Sequence, residues 1–297
     1  MPHQPASQAL KHLNVIDLTH VRTGPVCVRQ LGDWGANIWR VERVGDPADF
    51  SARHDSDFQH KHRNKRGMAL DLKSKEGRAV LYKLVEKADV LVENFRPDVK
   101  HRLGIDYETL AQINPRLVYA SISAFGQDGP YRERPGVDQV IQGMSGIMSV
   151  TGQADGPPTR VGIPIADISA GLFAALGILT ALVERSVSGK GQWVQTSLLE
   201  SQIFMLDLQA IRYLVARSAQ TTPPHLIRAT TILLALIAIT WQIRALGTLE
   251  WTRRVSEVNT IGWLTPRLAA LNDTASQRVF DGVVVGTDRV LLDQQLQ

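Results

Sequence analysis

Asp167 stands at the head of a long run of small and apolar residues, Arg160 to Glu184 (RVGIPIADISAGLFAALGILTALVE). A carboxylate there has two uses. It can cap a helix by accepting its first orphan N–H groups. Alternatively it can act as a nucleophile whose ionised form the helix N-terminus favours. The residues alone leave both roles open. Other reactive types offer less. Cys27 is the only cysteine in 297 residues, so no internal disulfide is available, and no His/Asn pattern accompanies it. It reads as a small buried hydrophobe in a helix. His54, His60 and His62, with Asp55, lie in an Arg/Lys-rich stretch without ligand spacing; they read as a solvated basic loop, and no metal site is expected. The Gly143 to Gly146 segment (GMSG) lacks the nucleophile-elbow spacing, which leaves Ser145 as a helix-packing residue.

The elements around Asp167 alternate. Leu13 to Leu18 reads as a buried strand, Pro25 to Trp34 as a helix with proline in its first turn, and Asn37 to Val41 as a second strand. Met68 to Leu72 reads as a strand, and Ser74 caps a helix running to about Lys87. Asp89 to Val92 and Leu117 to Ile122 are further strands. Strands alternating with helices predict a parallel sheet covered on both faces, an α/β domain. No G-x-G-x-x-G follows any strand, which argues against an ordinary dinucleotide fingerprint. The formal charge is +4, with 44% hydrophobic and 21% charged residues, as in a soluble enzyme with a sizeable core. Without an aromatic-interleaved basic stripe, phosphate on a small cofactor fits this bias better than nucleic acid. The N-terminal MPHQPASQALKHLN lacks a signal-peptide layout, so a cytoplasmic location is expected.

Four more blocks occur in order with the Asp167 segment: Val15 to Arg43, Asn64 to Arg78, Ala88 to Pro97, and Gly189 to Ser201. Together they resemble the class III CoA-transferases over roughly Leu10 to Val215. The resemblance implies a Rossmann-like large domain whose catalytic aspartate is Asp167. It implies coenzyme A, as acyl-CoA, and a carboxylic acid as substrates. The reaction would pass through an aspartyl-acyl anhydride and an aspartyl-CoA thioester, with a glycine-rich loop excluding water. Coenzyme A is expected on Arg22, Thr23, Arg43, Leu70, Lys73, Asn94, Phe95, Arg96 and Arg102. Asp138 falls at an acidic position near the transferase site and is expected as a second catalytic residue that positions the aspartate or water; a plain helix cap is the other reading. Arg22 replaces the glutamine of formyl-CoA transferase, which argues against formate or oxalate. The related α-methylacyl-CoA racemases need histidine before that acid, and Val137 cannot carry a proton.

Beyond Val215 the resemblance fades. Ala229 to Trp241 is apolar and β-branched, yet too short to cross a bilayer, for which ~20 residues are needed, so no membrane role is expected. Read as codons and shifted by one nucleotide, Arg228 to Leu234 can spell Gly-Asn-Asn-His-Pro-Thr, which full-length members resemble at that point. The expectation is a large domain over 1–216 and a disrupted, frameshifted small domain over 217–297. In the family that part carries the lid and closes the ring through which two subunits interlock as a homodimer. An inactive or merely CoA-binding remnant is therefore the alternative to an active transferase.

Overall fold

The computed structural model describes residues 5–45, 52–153 and 156–219. Six strands form one all-parallel sheet: β1 (Asn14–Asp17), β2 (Asn37–Glu42), β3 (Lys65–Ala69), β4 (Val90–Glu93), β5 (Val118–Ser123) and β6 (Trp193–Ser197). Their spatial order is β3-β2-β1-β4-β5-β6, with Val15 opposite both Ile38 and Val90. The order reverses between β1 and β4. In open parallel sheets ligands bind beyond the carboxyl ends of the strands at such a reversal.

The helices are α1 (Thr23–Asp33), α2 (Ser56–His62), α3 (Lys75–Val85), α4 (Pro97–Leu103) and α5 (Tyr107–Ile113). They are followed by α6 (Asp138–Met144), α7 (Ile165–Ser188) and α8 (Leu198–Ala219). Strand side chains alternate between two cores, as the period of two requires. Val15, Val90, Val92, Val118 and Ala120 face α1 and α7, whereas Ile16, Leu91 and Tyr119 face α3 and α5. Each fully buried Val, Ile or Leu contributes about 1.5–3 kcal/mol. Ser74 caps α3 as expected, its Oγ accepting from Gly77 N at 2.9 Å.

β3 begins and ends three residues earlier than the apolar pattern predicted. It is an edge strand with mostly exposed side chains, so its position is set by pairing with β2 and by Lys65, not by hydrophobic period. The polar stretch around the three histidines is also more ordered than a solvated loop: Ala52–His54 forms a 3₁₀ turn that leads into α2. α7 is long and apolar enough to cross a membrane by length and composition alone. Here its small-residue face, with Ala170, Ala174 and Ile178, is buried in the core. A first compact unit ends at Leu206, where α8 breaks at Asp207 (φ 38°, ψ −115°). The frameshift reading, Ala229 to Trp241 and the lid fall outside the described residues.

Candidate active site

The β1–α1 loop is built from below. Asp17, buried at the end of β1, accepts from Thr19 N at 3.0 Å and from the Thr19 hydroxyl, and pairs with Lys65 Nζ at 2.9 Å. Burial pushes the Asp17 carboxyl up, but the Lys65 ammonium and Thr19 outweigh it and hold it below the usual range. Beside this pair His62 is held neutral: burial, then Lys65 and Arg40, lower it to about 3. Cys27 lies buried under the same loop, and burial pushes its thiol up. Asn94, just past β4, locks the loop from the other side of the reversal. Its Oδ1 accepts from His20 N at 2.9 Å and its Nδ2 donates to His20 O at 2.8 Å. Between these anchors Val21 has φ +65°, a left-handed conformation costing a β-branched residue roughly 1–3 kcal/mol.

This loop delivers Thr23 to Asp167. Close approach of α1 and α7 is possible because position 171 is glycine: a Cβ there would lie 2.7 Å from Thr23 O. The Thr23 hydroxyl donates to Asp167 Oδ1. Asp167 Oδ2 has no hydrogen-bond partner among the described residues, so one oxygen is fixed and the other is available. Burial pushes the Asp167 carboxyl up, Thr23 opposes, Asp138 raises it further, and Arg22 and Lys61 pull it down; the net shift is upward.

Asp167 does not cap its own helix. It is the third residue of α7, and the cap comes from elsewhere. Asp138, the first residue of α6, accepts from Ala166 N at 2.8 Å and Asp167 N at 3.3 Å. Gln142 Nε2 donates to the other Asp138 oxygen at 2.7 Å, while Gln142 Oε1 takes Val161 N at 2.9 Å. Asp138 is therefore a cap, but of the helix carrying Asp167.

Of the residues expected to hold coenzyme A, all but Arg102, which lies in the last turn of α4, follow the carboxyl ends of strands. Arg22 and Thr23 follow β1, Arg43 follows β2, Leu70 and Lys73 follow β3, and Asn94, Phe95 and Arg96 follow β4. Arg43, Lys73, Arg96 and Arg102 are exposed. Arg43 and Lys73 make no ion pair among the described residues, whereas Arg96 and Arg102 lie loosely against Asp98 at 3.9 and 3.7 Å. Phe95 N donates to Glu93 Oε2 at 2.8 Å, and Glu93 is itself held by the buried Lys100 at 3.1 Å. Lys100 also donates to Ser121 Oγ at 3.0 Å. A buried ion pair thus shapes the turn that carries Asn94 and Phe95.

Sequence reasoning missed Glu93, Lys100, Gln142, Asp57 and Lys61. The i,i+4 spacing of Asp57 and Lys61 is the one local signal the sequence carries, and the stretch reads instead as a solvated basic loop. Ser145 is buried and donates to Gln142 O at 3.2 Å, a packing role. Among the described residues one trio, His101, Asp106 and Glu108, brings three potential metal ligands within 4.8 Å. Its Asp106 is engaged as the cap of α5, accepting from Thr109 N at 2.9 Å.

A parallel sheet with a strand-order reversal, an aspartate at the head of α7 and basic side chains after the strand ends define an α/β domain that gathers a half-buried carboxylate and several cations at one edge. The chain belongs to CoA-transferase family III, whose model matches residues 10–231. It is 44% identical over 202 residues to an acetyl-CoA:oxalate CoA-transferase of Acetobacter aceti, covering 66% of this chain and 52% of that protein. It is 39% identical over 220 residues to a succinate–glutarate CoA-transferase of Agrobacterium fabrum, covering 70% and 55%. Among solved structures it is similar to a CaiB/BaiF family protein from Brucella suis, at 37% identity and TM-score 0.66, covering 72% of this chain and 58% of that one. The chain spans about half the length of these curated relatives.

Proposed function

We propose that this chain moves coenzyme A between carboxylic acids with Asp167 as covalent nucleophile. The observation that carries the reading is the asymmetry of that carboxylate: Oδ1 is tied to Thr23, while Oδ2 has no partner among the described residues, on the edge where Arg43, Lys73 and Arg96 lie. A half-buried carboxylate of raised basicity is also a better nucleophile than a fully hydrated one. In the first step Asp167 Oδ2 attacks the thioester carbonyl, the C–S bond breaks, and the aspartyl-acyl anhydride and CoA thiolate form. The thiolate then attacks the aspartyl carbonyl, releasing the donor acid and leaving an aspartyl-CoA thioester. The acceptor carboxylate attacks that thioester, giving a second anhydride and thiolate. Attack of the thiolate on the acceptor's acyl carbon yields the new acyl-CoA and restores Asp167.

The same reading takes residues 1–216 as the large domain and 217–297 as a disrupted small domain, in a cytoplasmic homodimer. Exposed Leu172, Leu176 and Val183 on α7 and Phe204 on α8 support an apolar contact with a second copy. The half-length match to the relatives favours a second reading, in which the chain binds coenzyme A without turnover. One experiment separates the two. Incubation with acetyl-CoA and hydroxylamine, then peptide mass spectrometry, should place a hydroxamate on Asp167, and none in Asp167→Asn. Because the carboxyl must be ionised and sits above its usual range, trapping should fall off as pH is lowered through that raised value. Coenzyme A binding without any adduct points to the remnant, and an adduct that persists in Asp167→Asn refutes the nucleophile.

A further inference from the structure

Asn94 lies in the turn after β4, among the residues expected to hold coenzyme A, yet both polar atoms of its side chain serve one residue of another loop. Its Oδ1 accepts from His20 N at 2.9 Å and its Nδ2 donates to His20 O at 2.8 Å. The Phe95 ring adds a tilted contact to the His20 ring, with centroids 5.7 Å apart. The turn does not need this clamp for its own shape. Phe95 N donates to Glu93 Oε2 at 2.8 Å, Lys100 holds Glu93 from the core, and Pro97 starts α4.

The clamp acts on the β1–α1 loop instead. Thr19, tied to Asp17, sits hard against α1: a Cβ at position 24 would lie 2.3 Å from Thr19 Cβ. The chain then has only His20, Val21 and Arg22 in which to turn into α1. It does so through the left-handed Val21 (φ +65°), whose carbonyl accepts from Lys61 Nζ at 2.9 Å. A β-branched residue keeps that conformation only where its surroundings over-determine it. Thr23 follows, and its hydroxyl donates to Asp167 Oδ1. With His20 released, Val21 can relax to extended backbone, which moves Thr23 off the carboxylate.

We propose that Asn94 is a positioning residue for the nucleophile and not a contact for coenzyme A: by holding both backbone groups of His20 it keeps the β1–α1 loop in the form that brings the Thr23 hydroxyl to Asp167. The inference rests on the CoA-transfer reading for its catalytic meaning. Thr23 fixes which way the carboxylate faces, so a freed loop leaves a nucleophile that is present but misdirected. The groups that act on the Asp167 charge are Thr23 from α1, Asp138 from α6, Arg22 from the loop and Lys61 from α2; Thr23 pulls the carboxyl down more than Arg22 does. Among the described residues the Asn94 side chain hydrogen-bonds to His20 alone, so it acts on Asp167 through the loop that carries Thr23 and Arg22.

Carbodiimide coupling of glycine ethyl ester to Asp167 tests this on the full chain. The coupling consumes the protonated carboxyl, so its pH dependence, read by peptide mass spectrometry and normalised to the exposed Glu133, follows the titration of Asp167 without any turnover. Thr23 opposes the upward push on that carboxyl, so Asn94→Ala should move the midpoint to higher pH, as Thr23→Val does. Unfolding moves it the other way, towards the ordinary carboxylate value, so a folding defect does not imitate the effect. In the Thr23→Val background, Asn94→Ala should add less than half the shift it causes in the parent. Calorimetry should find coenzyme A bound by Asn94→Ala within about twofold of the parent, as for a side chain outside the contact. Hydroxamate formation on Asp167 from saturating acetyl-CoA should fall about tenfold or more, as misorientation of a reacting group implies. An unmoved midpoint in Asn94→Ala, an equal shift in the Thr23→Val background, or a tenfold loss of coenzyme A affinity overturns the proposal. If the parent binds no coenzyme A and forms no adduct, the transferase reading falls, and the midpoints still decide whether Asn94 holds Thr23 on Asp167.

Discussion

Replacing Asp138 by alanine should unfold the site from the α7 end. Three donors lose their acceptor: Ala166 N, Asp167 N and Gln142 Nε2. Ala166 is fully buried, so water cannot replace the lost bond there. An orphaned buried donor costs about 1–3 kcal/mol, and loss of a helix cap typically costs ~1 kcal/mol. Gln142 Nε2 keeps a second contact, to Ile163 O at 3.3 Å, so it adds little. The sum is about 2–4 kcal/mol, or roughly 5–15 °C in Tm for a unit of this size. Asp138→Asn separates shape from charge. Its remaining oxygen can still accept from α7, but its amide would face the Gln142 amide, donor against donor. Turning Gln142 over would relieve that contact and orphan Val161 N. The asparagine variant should therefore fall between the parent and alanine. Removing the Asp138 charge also lowers the Asp167 carboxyl, which that charge raises, so the pH limb of Asp167 trapping should move to more acid pH in both variants. Thermal and urea unfolding followed by circular dichroism read the first effect. An alanine variant melting within a degree of the parent, or an asparagine variant less stable than alanine, would refute the reasoning.

Lys100→Met should destabilise the chain by about 3–5 kcal/mol, because it leaves the fully buried Glu93 carboxylate without its cation. Lys100→Met with Glu93→Gln should recover much of that loss in urea denaturation; a double variant no better than the single one contradicts the pairing. Coenzyme A binding should weaken with salt, and in Arg43→Ala and Lys73→Ala by about 1.5–3 kcal/mol each, the worth of a charge-assisted contact. Calorimetry that finds parental affinity in both variants would remove these residues from the site.

Much of this fold was legible from pattern. Buried strands such as Leu13 to Leu18 and Asp89 to Val92 are short apolar runs between turn signals, and Ser74 and Pro25 are local signals read over a single turn. Such features depend on near neighbours, so the sequence exposes them. β3 was misplaced because an edge strand with a polar face carries no hydrophobic period, and α2 was read as loop because a short charged helix looks like one.

For the site, the division follows the range of the interactions. Asp167, the small-residue face of α7 and the basic residues after each strand belong to contiguous segments, and their identities could be read along the chain. The strand order β3-β2-β1-β4-β5-β6 could not, because pairing joins segments far apart; the β1–β4 pairing brings Asn94 to His20, and the packing of α1 against α7 at Gly171 brings Thr23 to Asp167. Asp138 shows the distinction most plainly. Its position at a helix start was visible in sequence, but the N–H groups it accepts belong to a helix 28 residues on. The same holds for Arg22 and Asp57, 35 residues apart and bonded. Residue types fixed which chemistry was available; only tertiary contacts, through the direction of each hydrogen bond, decided that Asp167 Oδ1 accepts from Thr23 while Oδ2 accepts from none of the described residues.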